Sequence, residues 1–203
     1  MILKIFFYGM LAALPVVLLE IGFAEGIKSL PLPSLLIQVI YIFLGIALIE
    51  EVFKFLVVKS RVLRSSAFDE PTDVILYMII AALGFAALEN LLILFPLSNP
   101  FQFLETAVVS SFRFLGATFL HALCSGTIGY FMALSFYEPK HKIKLVGAGL
   151  TIAIVLHGLY DFSLIKIEDG WRFIIPVIIL IGLAVFVSLG FKKVKKLKSV
   201  CLP

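Results

Sequence analysis

The chain has 203 residues, 62% of them hydrophobic, with a mean hydropathy of +1.13 and a formal charge of +4 at pH 7. No soluble core needs that much apolar surface, so the composition excludes a water-soluble globular domain, and the expected partners include no nucleic acid. The apolar runs far exceed the about ten residues of a barrel strand and lack period-two alternation, which leaves an all-α polytopic integral membrane bundle.

Windows of about 20 apolar residues place about six transmembrane helices, at 5–24, 34–59, 73–97, 107–137, 144–166 and 171–191. They form one transmembrane domain over 1–191, followed by a basic tail over 192–203. The first span is long enough to cross a membrane and no small-residue cleavage pattern follows it, so it reads as an anchor rather than a signal peptide. Pro31 and Pro33 precede the second span, and the polar stretch from Ser60 to Asp73 separates it from the third. Pro96 and Pro100 close the third, and Glu138 to Lys144 is a polar turn before the fifth. Pro15 and Pro176 lie inside spans, where membranes tolerate them. The overlong fourth span tilts or opens with an amphipathic turn near Arg113.

Positive charge sets the expected orientation. With a cytoplasmic N-terminus, the inside segments hold twelve lysines and arginines, five of them between Lys192 and Lys198; the outside segments hold three, Lys28, Lys166 and Arg172. That bias alternates correctly at every loop and predicts N-in and C-in. The basic tail either rests on anionic lipid headgroups or serves only as a topology anchor. Cys124 lies mid-span and Cys201 near the opposite depth, so no disulfide joins them; Cys124 reads as a packing residue, despite its closeness to His121.

The informative residues are the ionisable ones inside the spans. Each costs about 2.5–3.5 kcal/mol at the bilayer centre, so such groups face an internal polar cavity. In the second span, Glu50 and Lys54 are four apart and share a helix face, with Glu51 beside them. Two adjacent carboxylates do not ionise together without compensation from Lys54 or a cation; the alternative is that the group snorkels to an interface. The third span carries Glu89 and Asn90, with Gly84, Ala86 and Ala87 allowing close helix approach. Glu89 either lines the cavity or is a plain interhelical hydrogen-bonding partner. The fourth span carries His121, which is either structural or functional. The fifth carries His157 and Asp161, spaced so that the aspartate can hold the imidazole.

Four carboxylates against Lys54 and Arg113 leave a residual charge of −2 if all ionise. Low dielectric does not tolerate that, so protons are retained or a divalent cation is bound. Either answer suits hydrolysis, since a carboxylate near a histidine activates water and so does a metal. No His-Glu-x-x-His and no metal-spaced cysteine pair is present. A Zn2+ site from Glu89, His121 and His157 on three helices remains open. Charge alone also admits a proton- or cation-coupled transporter, although no internal repeat supports one.

At these residues, from about Leu48 to Leu164, the chain resembles the PrsW family of intramembrane proteases. That family is related to the group containing CaaX prenyl endopeptidases and bacteriocin-immunity proteins. Glu50, Glu51 and Lys54 match a Glu-Glu-x-x-Lys motif, and Phe85 with Glu89 matches Phe-x-x-x-Glu. His121 matches the third-motif histidine, and His157 with Asp161 matches His-x-x-x-Asp. The loop Phe68-Asp69-Glu70 leading to Asp73 is also similar. The departures are a short N-terminus and Ala117 in place of a frequent phenylalanine. The resemblance implies an endopeptidase of a prokaryotic plasma membrane that cuts membrane-anchored proteins, with site-1 cleavage of an anti-sigma factor as the implied role. Such proteins are labelled metalloproteases, whereas the related prenyl proteases are described without an obligatory metal. On the second view Glu50, Glu51 and His121 would activate water, His157 held by Asp161 would stabilise the oxyanion, and Lys54, Glu89 and Asn90 would complete the polar cavity. A prenyl-protein substrate is the runner-up; Lys54 after the glutamate pair favours the first branch.

Overall fold

The computed structural model of the chain describes residues 1–63, 65, 68–94, 103–168 and 170–197, with the backbone alone for 93–94 and 103–113. Seven α-helices follow in order: α1 (Ile2–Lys28), α2 (Ser34–Ile40), α3 (Leu48–Arg61), α4 (Pro71–Leu94), α5 (Phe103–Tyr137), α6 (Lys142–Lys166) and α7 (Trp171–Val194). A π-helical segment, Tyr41–Ala47, joins α2 to α3, so those three pieces form one rod. Six rods are long and apolar enough to cross a membrane, and no strand occurs among the described residues. The all-α polytopic bundle is therefore the observed architecture. Helices outrun the apolar windows at several ends, as α1 from Ile2 and α7 to Val194, because backbone hydrogen bonding continues past the last apolar residues. Pro96, Pro100, Arg64 and Cys201 lie outside the described residues, as does the side chain of Arg113.

Helix α1 shows how the bundle is held. Ile5, Gly9, Ala13 and Val16 are buried at steps of three or four, and Ile27 follows three turns later, which is one face of a helix. The opposite face exposes Leu3, Phe7, Leu11, Leu14 and Leu18, which suits hydrocarbon as the solvent. A Cβ at Gly9 would run into the Ala81 carbonyl, and one at Gly84 into the Phe6 carbonyl. These reciprocal contacts run in opposite sequence directions, so α1 and α4 are antiparallel and packed backbone to backbone. Gly129 likewise lets α5 approach α4, where an added Cβ would stand 2.7 Å from the Ile75 Cα.

The central rods are α4 and α5, which supply Met78, Ala81, Leu120, Cys124, Ile128 and Met132 to the main apolar cluster. Cys124 is a free, buried thiol within that cluster and serves packing. At the start of α4, Asp73 Oδ2 accepts the backbone N–H groups of Asp69 (3.2 Å) and Glu70 (2.9 Å), which caps the turn entering the helix.

Candidate active site

Helix α3 brings the first three charged side chains inward. Glu50 is 2% exposed, and Glu51 and Lys54 are fully enclosed. Lys54 does not snorkel: its ammonium lies 4.8 Å from the centre of the Phe85 ring, inside the bundle. Its shorter contact is to Glu51 Oε1 at 2.6 Å, with Glu50 Oε2 at 3.3 Å. The i,i+4 pairing read from the sequence is present but is the looser of the two. The reason is that Glu51 is pinned from several sides. Its Oε1 also meets His157 Nδ1 at 2.9 Å, and its Oε2 accepts the Ser125 hydroxyl at 3.4 Å. Glu50, by contrast, has longer contacts to the same basic groups, to Lys54, to His121 Nδ1 at 3.5 Å and to His157 Nε2 at 3.9 Å, and it also meets the Glu20 carboxyl.

Helix α5 delivers His121 and, one turn later on the same face, Ser125. Lys54 Nζ stands 2.8 Å from His121 Nδ1. A charged ammonium only donates, so Nδ1 accepts and the ring proton sits on Nε2. That nitrogen faces Glu89 Oε2 at 2.8 Å. Phe85, four residues before Glu89 on α4, packs its ring against His121 at 5.8 Å between centroids. The Phe-x-x-x-Glu spacing thus places a ring and a carboxylate on the same imidazole.

Helix α6 supplies His157 and Asp161. Asp161 Oδ2 lies 3.3 Å from His157 Nε2, so with Glu51 on Nδ1 each ring nitrogen has a carboxylate to donate to. The two imidazoles meet edge to face with centroids 5.1 Å apart. The π-helical segment contributes Phe43, whose ring fills the space that a Cβ on Gly158 would occupy. Since π-helical turns recur at functional sites, its position directly before α3 is notable.

The arrangement has a sealed floor and a more open rim. Glu50, Glu51, Lys54, His121 and His157 form the floor, while the side chains of Glu89 and Asp161 are 25% and 23% exposed. Asn90 does not join this network in its hydrogen bonding: its amide donates to the Thr118 hydroxyl at 3.1 Å and ties α4 to α5. One residue of the site was not singled out from the sequence. Glu20 on α1 continues the buried stripe one turn beyond Val16. It faces Glu50, with Glu89 and His157 also near. The signal was a lone carboxylate in an otherwise apolar 5–24 window, read there as an anchor.

Among the described residues, the three side chains whose ligand atoms all lie within 4.8 Å of one another are Glu50, His121 and His157. Glu50 therefore takes the place assigned to Glu89 in the metal set expected from the sequence, because Glu89 sits on the far nitrogen of His121. One carboxylate oxygen and two imidazole nitrogens are the donor set of a catalytic zinc site with a position open to water, so these residues fit a zinc ion.

A family profile described as PrsW family intramembrane metalloprotease matches residues 1–190. The chain is also similar to proteins named Protease PrsW. It is 32% identical to that of Geobacillus kaustophilus, over 100% of this chain and 81% of the relative. It is 26% identical to that of Bacillus subtilis, over 98% and 84%. It is 28% identical to that of Clostridioides difficile, over 89% and 73%. No solved structure matches the chain.

Proposed function

Because this chain belongs to the PrsW family of intramembrane proteases and is a multi-pass peptidase of the plasma membrane, we propose that the Glu50–His121–His157 cluster is where it hydrolyses the peptide bond. The observation that carries this reading is the convergence of a loosely held carboxylate with two imidazoles from separate helices. Membership among peptidases also sets aside the transporter that charge alone admitted.

Glu50 is the base in this scheme. Glu51 is committed to Lys54, His157 and Ser125, whereas the contacts of Glu50 to Lys54, His121 and His157 are all 3.3 Å or longer. A water held at Glu50 Oε2 gives up its proton to Glu50 as its oxygen attacks the scissile carbonyl carbon. His157, oriented by Glu51 and Asp161, donates to the oxyanion that forms. When the C–N bond breaks, the proton held by Glu50 passes to the leaving amine. Lys54 holds Glu51 and orients His121, and Glu89 fixes the other face of that ring.

A metal-assisted variant is favoured by the compact three-donor cluster. Glu50, His121 and His157 would hold the ion, which supplies a Lewis acid and an acidified water. Against it, Lys54 Nζ already stands beside two of the three donors, at 2.8 Å and 3.3 Å. We therefore favour water activation by glutamate and histidine.

The substrate is a membrane-anchored protein, since the site lies within the spans; an anti-sigma factor is the substrate that the family resemblance implies. The domain at 1–191 would hold the peptidase, with the basic tail at 192–203 on anionic headgroups. Glu50→Ala, His121→Ala and His157→Ala should each abolish cleavage of a co-expressed anchored substrate at unchanged protein abundance. Retained cleavage in all three would refute the assignment. Elemental analysis with chelator treatment separates the variants: the favoured scheme expects no stoichiometric zinc and chelator-resistant cleavage, and the opposite pair of results would move Glu50 to the role of ligand.

A further inference from the structure

Among the described residues, Glu20 is the one acidic side chain near the cluster that the hydrolytic scheme leaves unused. Its carboxylate faces Glu50, yet its Oε1 is buried and has no hydrogen-bond partner. A buried acceptor left unpaired costs about 1–3 kcal/mol and calls for an explanation. Packing sets its placement. Ala13 and Val16, on the same α1 stripe, pack with Ile49 and Phe53 on either side of Glu50 and with Phe85 and Leu88 before Glu89. One turn beyond Glu20, Phe23 lies against Gly45 of the π-helical segment. Glu20 is thus held at the seam of α1 and the rod bearing Glu50. It is partly exposed as a residue, like Glu89 and Asp161, so it belongs to the rim and not to the enclosed floor.

A substrate supplies what Oε1 lacks. A peptide bond can be attacked only where the substrate helix has opened, and opening frees backbone N–H groups in surroundings with little water to receive them. The described residues contain no strand whose edge would accept them, as sheet-based proteases provide. We propose that Glu20 Oε1 accepts a main-chain N–H of the unwound substrate next to the scissile bond, and so holds that bond over Glu50. The chemistry required of the ligand is a polypeptide backbone donor, independent of side-chain identity. This assignment rests on the reading of Glu50, His121 and His157 as the hydrolytic centre.

The test uses the full chain in proteoliposomes with a synthetic anchored substrate. Single backbone esters, each replacing one N–H by oxygen, are scanned over the residues flanking the scissile bond. Glu20→Ala should lower kcat/KM by about 2- to 10-fold, the worth of one hydrogen bond, chiefly through KM. At one ester position the wild type should lose a similar factor while Glu20→Ala loses nothing further. Glu20→Gln, which keeps an acceptor oxygen, should retain part of that ester sensitivity, and it serves as the comparison should the alanine variant not fold. Bound metal and resistance to SDS unfolding should match the wild type. Equal ester penalties in both proteins at every position would overturn the proposal, as would unchanged kinetics in Glu20→Ala or a loss of metal in the folded variant. Glu50→Ala is run alongside: if it still cleaves, the hydrolytic assignment fails; if it is inactive while Glu20 variants behave as wild type, only the present inference fails.

Discussion

Replacing Lys54 by methionine tests the internal charge network most directly. The ammonium lies 2.6 Å from Glu51 and 3.3 Å from Glu50, and none of the three side chains is more than 2% exposed. At an effective dielectric of about 20, those separations correspond to about 6 and 5 kcal/mol of gross Coulomb attraction. Desolvation offsets much of it, and removing one partner of such a buried pair costs about 3–5 kcal/mol, because the remaining charge is left uncompensated. Lys54→Met also deprives His121 Nδ1 of its donor. The expected destabilisation is therefore about 3–5 kcal/mol, and Glu51→Gln in the same background should relieve part of it. The assay is SDS unfolding in mixed micelles followed by far-ultraviolet circular dichroism, with a double-mutant cycle over Lys54→Met, Glu51→Gln and the pair. A coupling of about 2 kcal/mol is expected, within the range for residues in one network. Additivity within about 0.5 kcal/mol would refute the view that the two charges depend on each other.

Two further outcomes follow from packing and from charge placement. Gly84→Ala should destabilise the bundle by about 1–3 kcal/mol, since its methyl meets the Phe6 carbonyl, whereas Gly22→Ala, with nothing within 4 Å, should be neutral or mildly stabilising; identical unfolding curves would show that the α1–α4 approach is looser than described. Cysteine-labelling of the two ends in intact cells should find both protected from an impermeant reagent, as the twelve-to-three lysine and arginine bias predicts; labelling of either end from outside would reverse the orientation.

How far the site was legible in the sequence depends on the residue. Glu50, Glu51, Lys54, His121, His157 and Asp161 announce themselves because burial of charge in a bilayer is too costly to be incidental. The i,i+4 spacings also foretell real neighbours: His157 with Asp161, and Phe85 with Glu89 about one imidazole. Legibility fails where partners come from different helices. Which glutamate is pinned depends on His157, 106 residues away, and Ser125, 74 residues away. Asn90 looked like a member of the cavity by adjacency to Glu89, but neighbours on a helix point about 100° apart, and its amide turns to Thr118.

By itself the sequence determined the class of the molecule and its inventory: six apolar rods, their order, and charged groups that must meet away from lipid, because hydropathy and the cost of buried charge act residue by residue. Only the tertiary structure decided which side chains meet. The π-helical turns at Tyr41–Ala47 re-phase α3 relative to α2, the packing of Ala13 and Val16 on Ile49 and Phe53 and of Phe23 on Gly45 brings Glu20 to Glu50, and the third member of the compact donor set becomes Glu50. Those outcomes depend on the rotation and approach of whole helices, which a linear pattern does not encode.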